Sequence, residues 1–268
     1  MSEIKYGCQL YTWQMSYDKY RGALPHIFEI ISFAGYTGVE METCMLGDYF
    51  NDSSKLAALL VKYKLELASL CLVCDWRNGV ETDDEKLLAD KTIEYISKFP
   101  GAVMNLCQMP GADRENLYKR QLNAIACIKA VAERAADKGI VCTFHPNSPP
   151  SSLFRVDSDY ATLLTALSDT DIGFCPDSGH IRNGDMNVPQ MFSDNLEKIN
   201  HVHFKDRDSN GSWALMGEGD IDFSEIIAIL RIYGYNKWIM VEDESVLGEK
   251  NPDSAVIRNG DYLERRIR

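Results

Sequence analysis

Short apolar runs alternate with longer amphipathic ones along almost the whole chain. The runs 5–12 (KYGCQLYT), 37–42 (TGVEME), 65–73 (LELASLCLV), 102–107 (AVMNLC), 140–145 (IVCTFH), 172–177 (IGFCPD), 199–205 (INHVHFK) and 237–242 (KWIMVE) are compact and rich in Val, Ile, Cys and aromatics. Parallel strands covered on both faces have this composition, because protein rather than water meets each side chain. Between them lie helical patterns. Thr82 with Glu85 makes a capping box that opens a helix running through Phe99. Tyr118, Leu122, Ile125, Ile128, Ala132 and Ala135 recur at three- and four-residue spacing and predict one apolar face of a long helix. Gly139 marks the end of that helix before the next strand. Segments 22–34, 52–63, 157–168 and 222–233 repeat the theme.

Eight strand–helix alternations predict an α/β fold, a (β/α)₈ TIM barrel that occupies 1–268 as one domain, rather than an open doubly wound sheet. No GxGxxG follows the first strand, which argues against a dinucleotide-binding fold. No linker, repeat or low-complexity tract divides the chain. The charged segment 248–268 is expected to form a last turn and a tail packed on the outside.

Composition narrows the partners. The chain has 40 acidic against 28 basic residues, a formal charge of -12. Such a surface repels nucleic acid and anionic membranes, so neither is expected as a partner. An anionic substrate stays open, because a metal or local Lys/Arg can reverse the field inside a pocket. Of the 8 cysteines, Cys8, Cys71, Cys74, Cys107, Cys142 and Cys175 sit in apolar runs and read as small core residues in a reducing compartment. Cys71 and Cys74 form a CxxC, but it lies inside SLCLVC with no second pair. The start MSEIKYGCQ lacks the pattern of a secretory leader, and no run approaches the roughly 20 apolar residues of a membrane span. The cytoplasm is the expected location; association with a second copy of the chain is left open.

The chemistry rests on one coincidence. Only 5 histidines exist, and four of them fall at or near predicted strand ends. His145 ends strand five; Asp177 and His180 stand at the end of strand six; His201 and His203 lie in strand seven; Glu242 ends strand eight. Strand carboxyl ends form the catalytic mouth of this fold. Strand alternation places His201, His203 and Lys205 on one face, with His201 a layer deeper. His145, Asp177, His203 and Glu242 are therefore the expected ligands of one divalent metal. Mixed imidazole and carboxylate donors suit Mn, Co, Fe or Zn better than Ca, and Mg also takes carboxylates. Singly, each histidine also reads as a satisfied core residue, Asp177 as a helix cap and Glu242 as a solvated strand end.

The motifs GCQLYTW (7–13), GYTGVEM (35–41), PDSGHI (176–181), HVHFKDRD (201–208), GEGDIDF (217–223) and WIMVEDE (238–244) occur in an order that resembles the sugar phosphate isomerase/epimerase family, the xylose-isomerase-like barrels. Within it, HVHFKD, GEGDIDF and VEDE resemble inosose dehydratases. The resemblance implies a divalent metal held by one residue from each of strands five to eight and a ketose or cyclic keto-polyol as substrate. Asp177, His203 and Glu242 match the family's ligands on strands six to eight, and His180 matches the histidine of Asp-x-x-His, which often touches substrate. Strand five departs: FHPNS puts His145 where the isomerases and epimerases usually carry a glutamate. Dehydration or one-sided enolisation fits this departure better than epimerisation between two glutamates.

The expected mechanism has the metal polarise a ketone, a base remove the α-proton to give a metal-stabilised enediolate, and an acid protonate either a leaving hydroxyl or the adjacent carbon. Lys205 and His180 are the candidates for proton transfer, and Glu242 is a base only if it leaves the metal. A cation beside Lys205 is expected to lower its pKa; a plain ion pair with Asp206 or Glu242 is the alternative. Trp13 and Trp76 are candidates for an apolar wall against a small polyhydroxylated substrate, or else barrel-mouth packing. Gln108 and Asn147 are candidates to bind hydroxyls, and Arg207 is the nearest cation to a phosphate. The loop 208–220 either covers the site or is a surface hairpin. Two other functions compete: an apurinic-site endonuclease-like hydrolase, which needs early metal-binding histidines where this chain has only His26, and a non-catalytic metal- or sugar-binding barrel.

Overall fold

The computed structural model describes residues 3–267. Its strands are β1 (Lys5–Gln9), β2 (Gly38–Glu42), β3 (Glu66–Cys74), β4 (Val103–Gln108), β5 (Cys142–His145), β6 (Gly173–Phe174), β7 (Val202–Phe204) and β8 (Trp238–Val241). They pair in parallel in the order β6-β5-β4-β3-β2-β1-β8-β7. Parallel bridges Phe174–Ile199 and Asp177–His203 join the two end strands and close the ring. A TIM barrel is therefore the fold. The strand β6 is shorter than its apolar run, since Pro176 has no N–H to give and the chain turns at Asp177 into a helix, Ser178–Asn183.

The apolar runs conceal an alternation that sets up the site. Cys8, Val39, Met41, Leu70, Leu72, Met104, Leu106, Phe144, Val202 and Phe204 are buried residues of the barrel strands. Glu40, Asn105, Thr143, His201 and His203 are buried too, and they meet one another across the barrel axis. Below them Ala68, Trp238 and Met240 form a small apolar plug of their own. Glycine is required at Gly38, where a Cβ would stand 2.5 Å from the Trp238 ring. The barrel is thus apolar at its amino end and polar from its middle to its mouth.

The helices follow the sequence pattern with two corrections. The capping box is present: Thr82 N donates to Glu85 Oε2 at 2.8 Å and Glu85 N to Thr82 Oγ1 at 3.3 Å, opening the helix Asp83–Ile96. In the helix Leu117–Ala136, Ile125, Ile128, Ala132 and Ala135 are buried, but Tyr118 and Leu122 are exposed. Gln121 takes the inward position in that first stretch, donating to Leu153 O and Asp159 Oδ1 at 2.8 and 3.0 Å. The charged C-terminal segment packs on the outside as expected, but as more than a last turn and tail. It forms a fifteen-residue helix, Pro252–Arg266, that buries Ala255, Val256, Asn259, Gly260 and Leu263. A narrow stripe of small residues was enough to dock it, and the surrounding charges masked it. All eight cysteines are free thiols. No helix among the described residues is long and apolar enough to cross a membrane.

Candidate metal centre

Four neighbouring strand ends converge. One donor atom from each of His145, Asp177, His203 and Glu242 lies within 4.8 Å of the others, and all four residues are buried. His203 Nδ1 is 3.0 Å from Glu242 Oε2 and 3.9 Å from Asp177 Oδ2; His145 Nε2 is 3.5 Å from Asp177 Oδ2. The local sequence explains the aim of Asp177. Its Oδ1 accepts from His180 N at 2.8 Å and caps the following helix. That bond fixes the carboxylate and leaves Oδ2 directed at the cluster. The helix-cap and ligand readings of this aspartate are compatible.

Two atoms test whether a cation suits the place. Asp177 Oδ2 and His145 Nε2 are buried and lack any hydrogen-bond partner. Such orphans are costly unless something else meets them. Charge points the same way: Asp177, Glu242 and Glu244 surround one ammonium, that of Lys205. The residues fit a divalent metal with imidazole and carboxylate donors.

Lys205 and His180 stand directly beside this group. Lys205 Nζ is 2.7 Å from Glu242 Oε1, 2.5 Å from Glu244 Oε1, 3.5 Å from Asp177 Oδ2 and 3.1 Å from His180 Nε2. An ammonium has only donors, so His180 Nε2 accepts and its Nδ1–H donates to Ser148 Oγ at 2.7 Å. Burial pushes the His180 pKa down to about 3, which keeps the ring neutral. Burial opposes charge on Asp177, yet the Lys205 ammonium and His145 hold its pKa well below the usual range. Glu242 is likewise held low against burial by Lys205 and His203. Burial and His203 push His145 down, but Asp177 and Cys107 outweigh them and raise it to about 9. Burial disfavours the Lys205 ammonium, but Asp177, Glu242 and Glu244 hold its pKa well above normal. The lowering expected beside a cation concerns the metal-bound site; among the side chains alone, the three carboxylates prevail. The ion pair of Lys205 is with Glu242 and Glu244. Asp206 turns away to the backbone N–H groups of Arg207, Gly217 and Gly219, at 2.8, 2.8 and 3.0 Å.

The remaining expected site residues are placed less directly. Trp13 is fully buried, with Nε1 bonded to Asp253 Oδ1 at 2.8 Å. Trp76 is also fully buried, in a left-handed backbone conformation at φ 46°, its N–H held by Glu85 Oε1 at 2.6 Å. Gln108 Nε2 donates to Asp75 O at 3.0 Å, and Asn147 Nδ2 to Gln108 O at 2.7 Å, so both tie loops together at the mouth. Arg207 lies in a short antiparallel hairpin, Asp206–Arg207 with Trp213–Ala214, formed by the long loop. From that hairpin Trp213 stands edge-on to His180, ring centroids 5.7 Å apart, and 5.1 Å from Lys205 Nζ. His26 is half-exposed on the helix Leu24–Phe33, paired with Asp253 at 2.8 Å, and is not part of the four-donor cluster.

Sequence reasoning missed Glu40, Glu42, Glu244, Ser148 and Trp213. Glu40 carried a readable signal: a glutamate in mid-strand, in GVEME, must find partners when buried. It finds His201 and His203, at 2.5 and 2.6 Å. His201 is fully buried and meets Glu40, outside the four-donor cluster. Ser148 and Trp213 carried none, because loop geometry alone brings them in.

Comparisons with known proteins agree with this fold. A family model described as the xylose isomerase-like TIM barrel matches residues 28–265. The inosose dehydratase of Bacillus licheniformis is 22% identical over 91% of this chain and 88% of its own. The apo structure of 3-keto-D-glucoside 4-epimerase from E. coli superposes with a TM-score of 0.77 at 17% identity, over 98% of this chain and 99% of that one. The structure of the IOLI protein with a bound zinc atom gives the same TM-score at 15% identity, over 97% and 96%. With four side chains meeting at the carboxyl ends of β5 to β8 and a family match over most of its length, the chain belongs to the xylose isomerase-like TIM barrel family.

Proposed function

We propose that this protein is a divalent-metal-dependent enzyme that acts on a small keto-sugar or keto-polyol, and that its reaction is a dehydration of the inosose dehydratase type. The observation that carries the reading is the meeting of His145, Asp177, His203 and Glu242 with Lys205 and His180 against them. The inosose dehydratase relative and the epimerase and zinc-bearing neighbours support it. The four residues would hold the metal, with Mn, Co, Zn, Fe and Mg all compatible with the donor set. When bound, a divalent cation supplies Lewis-acid polarisation of a substrate carbonyl.

The chain's own residues do the rest. Lys205 holds a proton at Nζ, and His180 Nε2 accepts a hydrogen bond from it and orients it. Ser148 fixes the His180 ring from behind. Trp213 packs beside both groups. Because His145 replaces the strand-five glutamate, acid and base work is concentrated on the Lys205 side of the site. That arrangement suits loss of an α-hydrogen and a β-hydroxyl as water better than inversion by two opposed carboxylates. Small polyhydroxylated ketones, rather than nucleic acid, are the substrates that a formal charge of -12 and a buried donor cluster favour.

The test is to incubate the Mn²⁺-loaded protein in D₂O with a panel of inososes and ketohexoses. The expected result is release of water from an inosose to give an unsaturated ketone, with deuterium entering at the α-carbon of recovered substrate. Isomerised ketohexose without dehydration would replace the lyase assignment by an isomerase one. Metal-loaded protein that neither exchanges nor converts any of them would remove the enzymatic reading.

A further inference from the structure

We propose that Glu40, on β2, is a positioning residue that determines which nitrogen of His203 is free to bind a metal. The inference rests on the metal-centre reading and extends it one layer into the barrel. Glu40 is fully buried, as are His201 and His203 to within 1%. Its two carboxylate oxygens are divided between the histidines: Oε2 lies 2.5 Å from His201 Nε2, and Oε1 lies 2.6 Å from His203 Nε2. The other nitrogen of His203, Nδ1, faces Glu242 and Asp177 at 3.0 and 3.9 Å.

A neutral imidazole carries one N–H and one lone pair. With carboxylates against both nitrogens, a cation among Glu242, Asp177 and Nδ1 would displace the proton on that side, and Glu40 would keep the one on Nε2. It also makes Nδ1 the more basic ligand. His201 has its own part: by holding Oε2 it stops the carboxylate from rotating away from His203. The motif pair GVEME and HVHFK, on strands that are not neighbours, thereby acts as one unit across the barrel axis.

Glu40, His201 and His203 Nε2 are also close enough together to suggest a second ion. Their spacing argues against it. Donors 2.0–2.1 Å from a tetrahedral ion stand roughly 3.3 Å apart, whereas these atoms are 2.5 and 2.6 Å apart. They stand in close ionic contact instead.

The test uses full-length, metal-stripped protein titrated with Co²⁺ against a competing chelator, read by affinity and by the visible Co²⁺ absorption. Wild type is expected to take one ion per chain. Glu40→Gln is expected to weaken Co²⁺ binding by roughly 10–100-fold and to shift the absorption bands, with Glu40→Asp recovering part of both. Wild-type affinity and spectrum in Glu40→Gln would overturn the positioning role and leave the metal centre standing. Two ions per wild-type chain, one lost in Glu40→Gln, would make Glu40 a ligand and overturn it as well. A wild type that takes up no Co²⁺ removes the metal centre itself, and this is read before any variant is compared. If Glu40→Gln fails to fold, the histidine ring-nitrogen NMR spectrum of zinc-loaded wild type decides. The proton of His203 is expected on Nε2 and zinc on Nδ1; the reverse overturns the proposal.

Discussion

Lys205 has three proton donors and no acceptor, yet it is wholly buried, with Glu242, Glu244 and His180 within 3.1 Å of its nitrogen. A purely structural lysine would need one carboxylate; this one has two at bonding distance and Asp177 at 3.5 Å. Substitution by Met preserves most of the stem and removes the proton. Lys205→Met is therefore expected to retain metal while turnover falls on the order of a hundredfold, measured by steady-state assay beside metal content; undiminished turnover would return Lys205 to a structural role. Glu42 gives a prediction about pH. Burial raises its pKa from the ordinary 4.5 to about 7, although Gln14 donates to it at 2.7 Å. The native state then keeps a proton that the unfolded chain has already released. Its contribution to stability is full below 4.5 and is lost as pH rises through 7. Glu42→Gln should flatten this loss by about 2 kcal/mol, seen in denaturant titrations at both ends of that window; parallel curves for the two proteins would contradict it. The ligand residues were legible as polar groups interrupting apolar runs. Glu42 and Glu40 were equally visible as letters, but their role depends on which strand lies across the barrel, and no local pattern states that.

Two segments after strand ends organise the mouth through single carboxylates. Asp206 accepts from the N–H groups of Arg207, Gly217, Gly219 and Ile221, which folds the loop GEGDI back over the end of β7. Gly219 is obligatory there, since a Cβ would collide with the Asp206 carboxylate. The same loop carries Trp213 against Lys205. Gly219→Ala should therefore destabilise by about 2 kcal/mol and speed amide hydrogen exchange across 207–221, leaving the barrel strands protected; unchanged exchange in that loop would mean Asp206 does not hold it. Asp243 does similar work after β8, accepting from Ser245 N and Oγ at 2.9 and 2.6 Å and from Asn259 Nδ2 at 2.8 Å. Asn259 belongs to the C-terminal helix, so that helix is tied to the site-bearing loop. Strand and helix positions could be read from periodicity, because each element buries a regular stripe. The C-terminal helix could not, because its buried stripe includes Asn259 and Gly260, which no hydrophobic count registers. The hairpin in the long loop was undecidable for the same reason: its order comes from Asp206, not from its own apolar residues.

The barrel as a whole separates stability from chemistry along its axis. The plug of Ala68, Trp238 and Met240 closes the amino end, the Glu40–His201 layer lies above it, and the four converging donors form the mouth. Parallel β-strands make this inevitable once the alternation is set, because every second residue faces the axis and all carboxyl ends point one way. That is why the chain order of Asp177, His203 and Glu242 was enough to anticipate a common mouth, while the floor beneath it was not. The claim on which the functional reading depends is that this mouth binds one metal ion. The most direct measurement is equilibrium metal content of the stripped protein after titration with Mn²⁺, for wild type, His203→Ala and Glu242→Gln, with circular dichroism confirming the fold of each. The account predicts one ion per wild-type chain and none retained by either folded variant. Equal metal content in all three proteins, or none in the wild type, would contradict it.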